Sequence, residues 1–104
     1  MPDVVVIAHD IRSTHNVGSL LRTCEGLGVS RVYFTGYTPY PATPNDTRLP
    51  HIADKLTRQI HKTALDAEKL VQWTYSEDVS AVIMHLKSDG YTVVAQAIRP
   101  SSSR

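Results

Sequence analysis

At 104 residues the chain has room for one domain with one modest core, and its 41% hydrophobic and 20% charged content is that of an ordinary soluble globular protein, not a disordered one. A formal net charge of +1 excludes the broad basic footprint of a chain that holds nucleic acid by charge alone, so an RNA or DNA partner has to be argued from local features. The single cysteine, Cys24, excludes an internal disulfide and a cysteine-rich metal site, and the longest apolar run, Val4 to Ala8, is far too short to span a membrane and lacks the flanks of a signal peptide. The cytoplasm is the expected location.

In chain order, Val4-Val5-Val6-Ile7-Ala8 is a continuous β-branched run and reads as a strand buried on both faces, as in a parallel sheet. His9 to His15 is a polar connection, after which Asn16 suits a helix N-cap because its side chain accepts from a free backbone N–H. Val17, Leu20, Leu21 and Cys24 recur at helical spacing, and Gly26 and Gly28 end that helix. Arg31 to Thr35 is a second strand, which completes a βαβ unit. Gly36 to Pro50 is a long loop with four prolines and two tyrosines, and such loops in compact domains are usually functional or mobile. His51 to about Leu70 has helical composition, in two pieces, and Val71 to Tyr75 is a short strand. Val79, Val82, Ile83 and Leu86 have helical spacing, stopped by Asp89-Gly90, and Tyr91 to Ile98 is a strong strand. The tail Ser101 to Arg104 is expected to be flexible. The order β-α-β-loop-α-β-α-β is an α/β pattern with a mostly parallel sheet, and residues 1–100 form a single domain.

The stretch Ile11 to Thr23 falls beyond the carboxyl end of the first strand, where open α/β sheets bind ligands. Gly18 and Arg22 are four apart on a helix, and Arg22 leans back over Gly18 toward Asn16 and the first turn. Without a side chain at Gly18, a bulky partner has room to approach the backbone. Helix N-terminal N–H groups and the guanidinium fork of Arg22 both suit a phosphate, so the stretch fits a phosphodiester backbone better than a neutral metabolite. On spacing alone, Asn16 as a plain cap, Gly18 as a packing accommodation and Arg22 as a solvated residue remain the weightier alternatives.

Arg12-Ser13, Asn16-Val17-Gly18, Leu21-Arg22-Thr23 and Gly28-Val29 closely resemble the first motif of the SpoU (TrmH-like) family of the SPOUT class. The likeness continues through the strand Val32 to Thr35, the loop Gly36-Tyr37-Thr38-Pro39 and the segment Lys62 to Glu68, with Asp66 where the family has glycine. The resemblance implies a tRNA or rRNA ribose 2′-O-methyltransferase that uses S-adenosylmethionine and works as a homodimer. By motif match, Asn16 and Arg22 are its catalytic pair, and Arg12, Ser13 and Gly18 are expected to contact RNA. The family's two later motifs, a glycine–glutamate segment and a proline-containing strand leading into a Ser-Leu-Asn-Val-type helix start, do not occur in the chain. Those motifs build the knot and most of the cofactor pocket. The resemblance therefore implies a Rossmann-like half of the α/β-knot domain without its C-terminal knot segment. No S-adenosylmethionine site is expected in the chain itself, and it is expected to be inactive alone. The alternative is a non-catalytic RNA-binding or assembly module built on the same half-fold. A generic nucleotide-binding domain is a third reading, which no phosphate-loop motif supports.

Other residues read more plainly. His9, Asp10 and His15 have no known ligand spacing, and no metal is expected. His51 and His61 with Arg48, Lys55, Arg58 and Lys62 read as a solvated charged face. Tyr37 and Tyr40 either stack on unpaired bases or pack locally. Cys24 and Trp73 read as core, and Gly26-Leu27-Gly28 follows a helix where a dinucleotide fingerprint would open one.

Overall fold

A computed structural model describes residues 4–92. The strands are β1 (Val5–His9), β2 (Arg31–Thr35) and β3 (Trp73–Ser76), and the helices are α1 (Thr14–Leu27), α2 (Pro50–Ala64), α3 (Ala67–Leu70) and α4 (Val79–Ser88). The strands form an all-parallel sheet in the order β1-β2-β3, with Val6 beside Val32 and Val32 beside Trp73. The fold is the α/β arrangement expected from the sequence. The expected strand over Tyr91 to Ile98 falls largely outside the described residues, as does the tail, and Tyr91 and Thr92 are not in a strand. No helix among the described residues is long and apolar enough to cross a membrane.

Period-two alternation on β2 buries Val32 and Phe34 under α1, and α1 in turn packs against α2 and α3, so these helices share one side of the sheet. The core joins Ala8, Val17, Leu21, Cys24, Val32, Phe34, Ile60, Ala64, Ala67 and Val71. Cys24 lies within it, and burial pushes its thiol pKa up, as for an inert core cysteine. On the opposite side of β2, Arg31 and Tyr33 are half-buried among the described residues. Among the described residues β1 is an edge strand whose Val5, Val6 and Ile7 are only half-buried, in contrast to the expectation of burial on both faces.

The ends of the helices follow local chemistry. Ser13, not Asn16, is the N-cap of α1, since its hydroxyl oxygen accepts the Asn16 N–H at 3.1 Å. Asn16 stands inside the first turn instead. The helix ends on Gly28 at φ 72°, where the Val29 N–H returns to the Cys24 carbonyl at 3.0 Å, while Gly26 lies within the helix. Asp78 caps α4 through its carboxylate.

At the α2–α3 junction two consecutive non-glycine residues, Leu65 at φ 51° and Asp66 at φ 76°, adopt left-handed backbone. That is the physical reason glycine suits position 66. Left-handed backbone costs an L-residue about 1–2 kcal/mol, and the exposed pairing of Asp66 with His61 and Lys69, both at 3.6 Å, returns little of it. Asp66→Gly is expected to raise the unfolding free energy by roughly 0.5–1 kcal/mol in urea titration, after the greater freedom of glycine in the unfolded chain is counted. A loss of stability would mean that the ion pairs outweigh the backbone.

Candidate RNA-facing site at the carboxyl ends of the strands

The loops that leave β1 and β2 are stitched together at the carboxyl end of the sheet. His9 Nδ1 is hydrogen-bonded to Thr35 Oγ1 at 3.0 Å, and His9 Nε2 lies 3.3 Å from the Asp10 carboxylate. Asp10, itself at φ 55°, accepts the Tyr37 N–H at 2.9 Å. The buried Thr38 hydroxyl accepts the Ile11 N–H at 3.1 Å and lies 2.9 Å from the Ala8 carbonyl oxygen, to which it can donate. Tyr75 donates to the Gly36 carbonyl at 2.7 Å, which ties in the third strand. These bonds fix where the chain turns into α1, and hence where the residues of that turn stand.

Asn16 and Arg22 are both exposed on α1, and Arg12 is exposed on the loop before it. Arg12 lies over the Tyr37 ring with its guanidinium carbon 4.9 Å from the ring centre. Ser13 is half-buried and its hydroxyl oxygen is engaged as the cap, leaving its O–H to donate. Gly18 corrects the sequence reading. It is buried against α2, and a methyl there would collide with Thr63 Oγ1 and come within 2.5 Å of the Ile60 carbonyl oxygen and 2.9 Å of the Ala64 nitrogen. The missing side chain admits a helix, and no space remains there for RNA. Four apart on the helix, Gly18 and Arg22 do not share an environment, because α2 covers the first and solvent meets the second.

Thr63 was missed by sequence reasoning. Its hydroxyl donates to the His15 carbonyl at 3.0 Å, which satisfies a backbone group of the first turn of α1 and fixes that turn against α2. The signal was the pairing of small residues, Gly18 with Ala64, but which helix meets which is not a local property.

The long loop is held from within. Arg48 donates to Asp46 through Nε at 2.8 Å and Nη2 at 2.6 Å, and to the carbonyls of Tyr40 at 2.9 Å and Pro41 at 3.1 Å. Its guanidinium carbon lies 3.7 Å from the centre of the Tyr40 ring, whose other neighbours are Tyr75, stacked at 4.2 Å, and Trp73 at 6.2 Å. Arg48 therefore leaves the basic face expected of α2 and serves the loop, and Tyr40 packs locally. Trp73 is half-buried at the margin of the core, near Phe34 and Tyr40.

The Arg48 guanidinium holds the Asp46 carboxyl well below the usual carboxylate range. With the folded pKa below the unfolded one, the pair contributes fully above about pH 4 and is lost as pH falls through the folded value. Asp46→Asn is expected to shift acid unfolding by a few tenths of a pH unit toward neutrality at most, while leaving the pH dependence above about 5 unchanged. Circular dichroism against pH measures both limbs.

The model of the SpoU rRNA methylase family matches residues 3–103. The chain belongs to this family. Among its curated relatives are two tRNA (guanosine(18)-2′-O)-methyltransferases from two strains of Thermus thermophilus, each 26% identical over 98 residues. Each alignment covers 94% of this chain and 42% of the relative, so the chain spans less than half the length of these proteins. No solved structure matches it.

For a SpoU family chain the question is where a methyl donor would sit. A groove of about 440 Å³ is lined by Tyr40, Ala42, Thr43, Pro44, Trp73, Thr74 and Tyr75. None of these side chains carries a charge to meet the amino and carboxylate groups of S-adenosylmethionine. A second cavity, of about 480 Å³, includes Val5, Ser30 and Arg31 and so opens at the amino ends of the strands, away from Asn16. His61, Asp66 and Glu68 bring ligand-type atoms within 4.8 Å of one another, a grouping that sequence spacing did not suggest. His61 Nδ1 and Glu68 Oε2, hydrogen-bonded at 2.7 Å, account for its closest contact.

Proposed function

We infer that this SpoU family chain is the RNA-facing part of a tRNA or rRNA ribose 2′-O-methyltransferase that draws its methyl group from S-adenosylmethionine. The observation that carries this reading is the exposure of Asn16 and Arg22 on the helix that opens at the carboxyl end of the sheet, in a chain whose family match is nearly complete. The relatives' activity on a guanosine ribose of tRNA supports an RNA substrate. A guanidinium is cationic at neutral pH and offers a planar fork of donors, so Arg22 acts by holding the phosphate beside the target ribose, not as a simple base. Asn16 supplies an amide that accepts from or donates to the sugar. Holding a hydroxyl in line for transfer supplies a large part of a displacement barrier through orientation alone. Arg12 and the free donor of Ser13 extend the contact along the backbone. The assembled enzyme is read as a cytoplasmic homodimer.

On this reading the chain supplies the RNA contacts, and the S-adenosylmethionine pocket is built outside it. A calorimetric titration of the purified, folded chain with S-adenosylhomocysteine is expected to give no heat of binding. Saturable binding at one site per chain would overturn this division of labour and show that the chain builds the pocket itself.

A further inference from the structure

Tyr37 and Tyr40 stand on the loop after β2, and Tyr40 is committed to packing against Trp73, Tyr75 and the core. Tyr37 is 74% exposed. We propose that Tyr37, with Arg12 against one face of its ring, is a stacking site for one unpaired nucleobase of the RNA. The proposal rests on the RNA reading above and adds to it a ligand chemistry, the flat face of a base, that Asn16 and Arg22 do not supply.

The backbone around the ring is prepared for the task. Gly36, at φ 66°, makes the turn that presents Tyr37, and a methyl at Gly36 would collide with the Asp10 carboxylate. Asp10 accepts the Tyr37 N–H at 2.9 Å, Tyr75 holds the Gly36 carbonyl at 2.7 Å, and Thr38 is pinned between β1 and β2. The residues on either side of the ring are thus fixed while the ring projects into solvent. A pre-ordered exposed ring loses little entropy when it binds. Burying Tyr37 adds nothing to the fold as it stands.

Arg12 acts in two ways. Its guanidinium, 4.9 Å from the ring centre, attracts the π-face electrostatically and biases the ring's orientation. It also places a positive charge next to the ring, within reach of the phosphate of a nucleotide stacked on the opposite face. A base within a duplex has both faces covered by its neighbours, so the site takes a base from a single strand, loop or bulge. Every base has a π-face, so the contact is tolerant of sequence. The platform stands on the β2–α2 loop, bonded to the β1–α1 loop that leads into the turn carrying Asn16. A base stacked there anchors a strand beside the loop that leads into α1.

The test is binding of the full chain to a single-stranded oligoribonucleotide carrying 2-aminopurine, followed by fluorescence, with an RNA duplex as comparison. The wild-type chain is expected to quench the probe and to prefer the single strand. Tyr37→Phe should keep affinity within about twofold, whereas Tyr37→Ala and Tyr37→Leu should each lose about 5- to 100-fold and the quenching. The salt dependence of Tyr37→Ala should match that of wild type because no phosphate contact is lost, while Arg12→Ala should lower the slope by about 0.7. If wild type binds RNA and Tyr37→Ala binds the single strand as tightly, the stacking site is refuted and the RNA reading stands. Equal losses in Tyr37→Phe and Tyr37→Ala would assign the effect to the hydroxyl and likewise refute stacking. A wild-type chain that binds no RNA overturns the RNA reading and the platform with it.

Discussion

Gly18→Ala is expected to cost about 2–3 kcal/mol of unfolding free energy, and Gly18→Val to leave most of the chain unfolded, since inserted methyl groups in tight packing cost about 1–3 kcal/mol or more each. The added methyl meets Thr63 Oγ1, the Ile60 carbonyl and the Ala64 nitrogen. The threonine side chain cannot turn away without giving up its bond to the His15 carbonyl. The other two are backbone atoms of a helix whose Ile60 and Ala64 are fully buried, so relief requires α2 to move off α1 and open the core. Against this stands the better helix propensity of alanine, about 1 kcal/mol. Gly26 in the same helix provides the control. A methyl there meets nothing within 4 Å, and Gly26→Ala is expected to stabilise by roughly 0.5–1 kcal/mol. Urea titrations of the two variants should therefore move in opposite directions. A stabilised Gly18→Ala would show that the α1–α2 contact is looser than described, and would restore room at that position for another ligand.

The second large effect concerns chemistry. In a domain completed by joining this chain to the remaining portion of a Thermus thermophilus relative, Arg22→Lys is expected to lower kcat for tRNA methylation by about 10²-fold or more, since misplacement by about 1 Å costs that much in an oriented displacement. Lysine keeps the charge but loses the planar fork, so the KM for RNA should change by less than about threefold. The split identifies the role. A rise in KM at constant kcat would make Arg22 a plain electrostatic contact and favour the binding-module alternative. In the chain alone, Arg22→Lys should leave RNA affinity near that of wild type, because one phosphate contact by a cation is conserved.

Much of the fold was legible because its signals are local. The β-branched run from Val4 to Ala8, the strand composition of Arg31 to Thr35 and the helical spacing of Val17, Leu20, Leu21 and Cys24 each specify an element through neighbouring side chains alone. The cap was misplaced by three residues. Ser13, Thr14 and Asn16 are all plausible near a helix start, and only the hydrogen bond from Asn16 N–H to Ser13 Oγ distinguishes them. Position 66 was marked as a place for glycine by family resemblance, and its left-handed backbone supplies the physical reason. Arg48 looked like one more cation on a solvated helix until the loop folded back to give it a carboxylate, two carbonyls and an aromatic face.

What the sequence by itself determined is the order of strands and helices through α4, the parallel α/β class, the apolar faces that form the core, and Asn16 and Arg22 as candidate site residues. These depend on periodicity and residue chemistry, which act between neighbours in the chain. The tertiary structure alone decided which surface each candidate faces. Gly18 went under α2, Arg12 went to Tyr37, Thr63 reached back to His15, and Tyr37 stayed in solvent while Tyr40 packed between Arg48 and Tyr75. Each of those outcomes depends on residues from 8 to 48 positions apart meeting in space, and such meetings are set by how the helices and loops pack as a whole, which no local spacing encodes.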